Sequence, residues 1–399
     1  MRVEREIRAI NCTTKHPQSF LQMIYHLLSE AEPFSEHHGG ALSRWTANVL
    51  RSDQNCTIVC PWADDTWQFA PQRIWSLPAL RRYQGWSKTI RYRFAIGMRL
   101  TLLRSVFTPL VEKIKSDDVV YIHNRPEFAV ALSPALRDNG ARIVLHLQNS
   151  HLMGIPARYQ SSLDVDALIF CSDFLRREAR QYAEKVETAV VIPNGADENC
   201  FFPSPGETLR RDRDPVVLFV GRLVPEKGIH VLIEALRLLM KRGTRVSARI
   251  VGSTGFGHNK SSDYLDGMKK DLPSNVQFAE YASGEKLAEE FRQATIFCCP
   301  SIWNEPFGMV NVEAMATRLP VVATAVGGIP EIFGQGGAIL VRPGSAEELA
   351  EAIEMLVKHP ARREELAAQG YQIYRSRYRW QEIRAQYLDL VRQVLPIAA

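Results

Sequence analysis

No stretch of this chain approaches the ~18 consecutive apolar residues that a membrane-spanning helix needs. Its charged start, Met1-Arg-Val-Glu-Arg-Glu6, opens onto no apolar core of signal-peptide type. Cytoplasmic residence is the expectation. Cysteine lacks pattern: the seven residues Cys12, Cys56, Cys60, Cys171, Cys200, Cys298 and Cys299 include no paired C-x-x-C. An odd, scattered set lying mostly in apolar runs argues against a disulfide framework or a zinc module and for buried reduced thiols. Low-complexity segments and repeats of 20 to 50 residues are missing as well. What remains, 399 residues with 46% apolar and 23% charged, is ordinary globular composition with room for about two domains. The net charge of +5 is too mild to argue for nucleic acid.

A more local absence is informative. From Thr66 to Val111 there is no acidic residue, while Arg73, Arg81, Arg82, Lys88, Arg91, Arg93, Arg99 and Arg104 alternate with Trp67, Trp75 and Trp86. Such a segment suits an anionic membrane face or an acidic acceptor; it is equally the composition of a solvated helix face beside a core. No nucleic-acid motif accompanies it.

Short continuous apolar runs alternate with helical stretches along the rest of the chain. A first strand is expected at Ile7–Asn11, a helical passage at 19–28 and a turn at 33–38. Gly39-Gly40 then precede a helix with apolar positions Leu42, Trp45, Val49 and Leu50. Strands follow at 56–60, 119–123, 143–147 and 167–171, and Pro193-Asn-Gly195 closes the first set. The polar stretch 203–214 reads as a linker. The rhythm resumes with 215–221, 248–253, 276–280, 295–300, 320–324 and 337–341, with a glycine-rich loop at 254–262. Ser345 and Glu348 form a capping box for a helix over 346–357, and 361–394 reads as continuous helix.

Chemistry concentrates at two strand ends. Gly221-Arg-Leu-Val-Pro-Glu-Lys-Gly228 puts Arg222 and Lys227 where open α/β sheets bind ligands, two cations suited to a pyrophosphate, although the segment taken alone reads as solvent-facing loop charges. Ser301-Ile-Trp-Asn-Glu-Pro-Phe-Gly-Met-Val-Asn-Val-Glu313 places a helix start after a buried strand, with Pro306 pre-set for its first turn. The free N–H groups and the dipole of such a start attract an anion, and Gly308 allows close approach. Glu305 and Glu313 cannot neutralise a phosphate; as hydrogen-bond acceptors they fit the hydroxyls of a sugar and a ribose. Alternatively, they are a loop acid and an ordinary helix glutamate.

Taken together, Gly39-Gly40 with its helix, 167–174, Ile192-Pro-Asn-Gly-Ala-Asp197, 219–228, Val251-Gly252, 300–313 and 320–331 resemble a family 4 retaining glycosyltransferase (group 1) of the two-Rossmann-domain, GT-B type. The resemblance covers most of the chain. It implies an α/β protein of two facing Rossmann-like domains, 1–196 for the acceptor and 197–372 for the nucleotide sugar. Residues 373–399 would be a helix packing back on the first domain. It further implies that Arg222 and Lys227 hold the donor pyrophosphate, and that Pro306, Phe307, Gly308, Met309 and Val310 bring the helix start to the distal phosphate. Glu305 would meet the donor sugar and Glu313 the ribose. Gly39, Gly40, Gly221, Gly252, Ser253 and Tyr281 complete the donor set, and His123, Asn149 and His151 stand on the acceptor side.

No metal or cofactor is implied beyond a nucleotide-diphosphate sugar, UDP-linked before GDP-mannose. The other implied partners are a saccharide or glycolipid acceptor of cell-surface polysaccharide, lipopolysaccharide or glycolipid synthesis and, through 73–104, an anionic membrane face. Three departures stand out. Gln148 occupies the place where the family commonly carries a catalytic histidine, leaving His146, Gln148 or His151 for that role. Arg318 replaces the glycine that usually ends the helix before Pro320-Val-Val, at a cost of about 1 kcal/mol if its backbone is left-handed. The passage 12–38 is longer than usual and bears on the acceptor site. Competing readings are a nucleotide-sugar 2-epimerase and a catalytically silent binding or coat protein that keeps the fold, the latter supported by Gln148.

Overall fold

The structure, a computed structural model, describes residues 22–36, 40–51, 53, 55–64, 67, 74–89, 96–160, 162–203, 214–254, 263–334 and 336–394. The expected strand at 7–11, Gly39, most of the linker at 203–214 and of the loop at 254–262, and Arg73, Arg91 and Arg93 lie outside them.

Two wholly parallel sheets organise the chain. The first runs β3-β2-β1-β4-β5-β6-β7, from β1 (Ile24–Leu27), β2 (Cys56–Cys60), β3 (Ile74–Ser76), β4 (Val119–His123), β5 (Arg142–Leu147), β6 (Ala167–Phe170) and β7 (Thr188–Val191). The second runs β10-β9-β8-β11-β12-β13, from β8 (Val216–Val220), β9 (Ser247–Val251), β10 (Val276–Ala279), β11 (Ile296–Cys299), β12 (Val321–Thr324) and β13 (Ala338–Val341). Central strands such as β2, β4 and β11 are buried on both faces, which is why they read as unbroken Val/Ile/Cys runs instead of alternating.

Helices cover both sheets. In the first half they are α1 (Ala41–Val49), α2 (Pro78–Thr89), α3 (Ile96–Val111), α4 (Pro126–Asp138), α5 (Ala157–Gln160), α6 (Asp173–Glu178) and α7 (Arg180–Ala183). The second half has α8 (Ile229–Lys241), α9 (Asp263–Lys270), α10 (Gly284–Gln293), α11 (Met309–Ala316), α12 (Ile329–Phe333) and α13 (Ala346–Lys358), followed by α14 (Pro360–Arg377) and α15 (Trp380–Val394). Ser345 Oγ accepts from the Glu348 N–H, as the capping box requires.

Three expectations are corrected. Residues 24–27 are not helix but the buried strand β1 at the centre of the first sheet; a fully buried apolar run carries no periodicity that separates the two. The helix after β11 starts at Met309, not Pro306, because Gly308 at φ 97° turns the chain just before it. The C-terminal helix is broken at 378–379, and residue 372 falls inside α14.

That break is the return crossing. Ala196 pairs with Arg379 in an isolated bridge, Tyr374 Oη donates to the Ala196 carbonyl at 3.2 Å, and Tyr378 Oη donates to the Ile332 carbonyl at 3.0 Å. Beyond it, Ile383, Tyr387 and Leu390 of α15 join the core of the first sheet beside α1. One apolar cluster continues from Phe170 and Cys171 through Phe307 and Ile332 to Tyr378, so the two sheets share packing as well as chain.

Candidate functional site

The carboxyl ends of β8 and β11 converge. After β8 come Gly221, an exposed Arg222 and the single turn Pro225–Lys227, closed by Gly228 at φ 70°. A Cβ at residue 228 would lie 1.8 Å from the Pro300 carbonyl oxygen, so the turn can press against the β11 exit only as glycine. This contact carries Lys227 to Glu305, and the two form an ion pair. Trp303 Nε1 donates to the same Glu305 oxygen at 3.0 Å, and its ring lies 5.5 Å from the Lys227 ammonium. Glu305 is held through its backbone too, its carbonyl accepting from the Gly328 N–H at 2.7 Å. Immediately after it, the first-turn N–H groups of α11 at Met309 and Val310 have no acceptor within their own helix.

Glu313, one turn into α11, is buried 3.7 Å from Arg44 of α1, and burial raises its carboxyl above the usual range. An opposing helix from the other sheet therefore faces the site. Its N-terminus is already occupied: Glu32 Oε1 accepts from the N–H groups of Gly40 (2.7 Å) and Ser43 (3.1 Å). Gly40, expected in the donor set, has its N–H bonded to this internal carboxylate. Burial raises the Glu32 carboxyl, and the two N–H bonds partly oppose the rise.

On the first sheet, the ends of β1, β4 and β5 bring a charged group together. Glu30 and Arg125 pair at 2.7 Å, Glu127 lies 3.9 Å from the same guanidinium, and His151 Nδ1 sits 3.2 Å from Arg125 Nη1. Asn149 caps the turn that follows, accepting from the His151 N–H at 3.0 Å. Gln148 exchanges two amide bonds with Asn194, at 2.9 and 2.6 Å. His123 and His146 do not reach the surface. Both are fully buried, so neither touches a substrate; burial lowers His123 to about 3 and His146 well below its usual value.

The remaining donor residues divide. Gly252 and Ser253 follow β9 beside Gly221, with the Ser253 carbonyl accepting from Leu223, and Tyr281 is exposed past β10. Pro306 and Phe307 are buried, and the Phe307 ring packs 6.0 Å from Tyr378 of the crossing. They support the site from behind. The basic segment is not one surface. Arg99 is buried and bonds Tyr83 Oη, and Arg104 donates to the Ala131 carbonyl, while Arg81 and Arg82 are exposed, Arg81 lying over Trp62. Two Asp-x-Asp spacings occur, Asp164–Asp166 and Asp212–Asp214. Arg137 binds both members of the first.

Sequence reasoning passed over Glu32, Arg44, Trp303 and Glu331. Glu331 of α12 accepts from the N–H groups of Asp173 (2.9 Å) and Phe174 (3.0 Å), capping α6 across the two sheets. Only its place in Gly327-Gly-Ile-Pro-Glu331 hinted at a role.

Residues 203–373 match the family model described as Glycosyl transferases group 1. Through that segment, less than half of its length, the chain is similar to the group 1 glycosyl transferases. The chain is 26% identical over 325 residues to spore coat protein SA of Bacillus subtilis, covering 75% of this chain and 81% of that protein. It is 32% identical over 227 residues to the D-inositol 3-phosphate glycosyltransferase of Kineococcus radiotolerans, but there it spans about half of each protein, 51% and 52%. The crystal structure of Anabaena HepE in complex with UDP and glucose superposes with a TM-score of 0.70 at 22% identity, over 93% of this chain and 99% of that one. That likeness establishes the GT-B fold of two Rossmann-like domains.

Proposed function

We propose that the protein is a retaining hexosyltransferase that moves a sugar from a nucleoside diphosphate sugar, UDP-linked first and GDP-mannose next, to a saccharide or glycolipid acceptor of cell-surface polysaccharide, lipopolysaccharide or glycolipid synthesis. The observation that carries it is the Lys227–Glu305 pair at the start of α11. A diphosphate entering there competes for the ammonium. Once Lys227 turns to phosphate, Glu305 is released to accept a sugar hydroxyl, so one exchange readies both groups. Cleavage of the sugar–phosphate bond builds charge on the departing diphosphate. Lys227, Arg222 and the N–H groups of Met309 and Val310 oppose that charge, each good donor contributing about 3–4 kcal/mol. These cations and dipoles do the work a metal would otherwise do, and the reaction is proposed to need none.

Glu313 beside Arg44 suits the ribose, and the Glu30–Arg125–His151 group suits a polar acceptor. Exposed Arg81 and Arg82 remain for an anionic membrane face. HepE, crystallised with UDP and glucose, supports a UDP-linked donor. One observation favours a second reading, a silent coat protein: the relative covered over 81% of its length is named for a spore coat.

Thermal shift with UDP-, GDP- and ADP-sugars and the free diphosphates decides between them. A selective rise in midpoint that Lys227→Ala abolishes is expected, since a ligand of the folded state stabilises it by mass action. No shift with any nucleotide would favour the coat reading.

A further inference from the structure

Behind the cleft, a line of buried side chains takes no part in holding a donor. Tyr387 Oη lies 3.2 Å from His26 Nε2, and His26 Nδ1 lies 3.0 Å from His123 Nε2. His123 Nδ1 lies 3.1 Å from His146 Nδ1, and His146 Nε2 lies 2.9 Å from Gln148 Nε2. The three rings stand on the neighbouring strands β1, β4 and β5, fully buried, with Trp45 packed on His146 and Tyr121 stacked on His26. The line thus runs from the crossing helix α15 to the Gln148–Asn194 pair.

Each of its four contacts needs one proton between two heavy atoms. Three neutral imidazoles supply one N–H each and the Gln148 amide supplies the fourth, with the Tyr387 oxygen accepting at the far end and its own hydroxyl hydrogen lying off the line. An extra proton would set two N–H groups face to face in a dry site. The direction is tied to which side of the Gln148 amide faces His146. Gln148 Nε2 donates one hydrogen to Asn194 Oδ1 and the other to His146 Nε2. His146 must then carry its proton on Nδ1, and His123 and His26 must carry theirs on Nε2, ending at the Tyr387 oxygen. Reversing any ring requires reversing all of them, together with the two amides.

We infer that Tyr387, His26, His123 and His146 form a positioning relay that fixes the amide orientation of Gln148, keeping its nitrogen inward and leaving a lone pair of Oε1 to accept a substrate hydroxyl. The hydroxyl role rests on the transferase reading. The relay itself does not, and it is measured without substrate.

The test is the ring ¹⁵N spectrum of the histidine-labelled full chain at pH 7. Expected is one fixed neutral tautomer per ring: Nδ1–H at His146 and Nε2–H at His123 and His26. An imidazolium, or rapid averaging at any of the three, overturns the relay. Gln148→Glu replaces the donor with a carboxylate, and all three tautomers are expected to invert as far away as His26; a change confined to His146 overturns it. Should that variant fail to fold, Gln148→Met removes the donor alone. All three rings are then expected to leave their single tautomer, and an unchanged pattern at His26 and His123 overturns the inference. A negative donor thermal shift with the expected tautomers would sink the transferase reading and leave the relay standing.

Discussion

Glu305 is held from four directions, by Lys227, Trp303, Ser301 Oγ at 3.4 Å and its own carbonyl bond to Gly328, so its position does not depend on a ligand. Glu305→Ala is therefore expected to unfold cooperatively like the parent yet lose at least about 10²-fold in sugar transfer, read from steady-state rates. Near-normal rates would remove Glu305 from the site. Gly228→Ala puts a methyl group into the Pro300 carbonyl at a left-handed backbone position; a loss of more than about 2 kcal/mol in urea unfolding is expected. At this scale the sequence was legible where backbone chemistry decides. Arg318, read as standing in a glycine's place, does have φ 55°, and its guanidinium reaches Glu364 at 2.6 Å. The partners of side chains were not legible, since Arg44 and Glu313 are far apart in the chain.

At the scale of elements, α15 belongs by sequence to the end of the chain and by packing to its beginning. Tyr387 is fully buried among His26, Tyr121 and Trp45 of the first sheet and α1. Tyr387→Ala should cost about 3–5 kcal/mol in urea unfolding, with the loss falling on the first sheet's core. Parent-like stability would mean that α15 does not support that core. Glu331 works similarly, holding the start of α6 from the other sheet. Both strand and helix candidates of the second half were readable because their capping and turn residues are local. Strand β1 was not: Ile24-Tyr-His-Leu27 owes its extended form to pairing with β2 and β4 on either side, which no local propensity encodes.

At the scale of the molecule, three neutral imidazoles in one core make stability depend on pH. Burial depresses His26, His123 and His146 below the usual value near 6.5, so the unfolded chain binds their protons first. Their contribution is present above that unfolded value and is lost as pH falls toward the folded values, by up to about 1.4 kcal/mol per pH unit for each proton taken up. Glu32, Glu127 and Glu313, raised by burial, act in the opposite sense, their contribution fading as pH rises through their folded values. The unfolding midpoint in urea should thus fall on acidification from about pH 6.5, and His123→Asn should flatten that slope. A midpoint independent of pH over this range would contradict the buried neutral rings.

By itself the sequence determined the alternation of short buried strands and helices, the two sets of them, and the strand-end cations and glycine turns that suit a diphosphate. These are local features, written in hydrophobic pattern, turn residues and helix starts. Only the tertiary structure decided that Glu32 already fills the helix start at Gly40, that Arg44 comes over Glu313, and that His146 lies behind the cleft in line with His26 and His123. Those outcomes depend on which strands become neighbours and where the last helix returns, and strand order is set by the burial of whole faces at once.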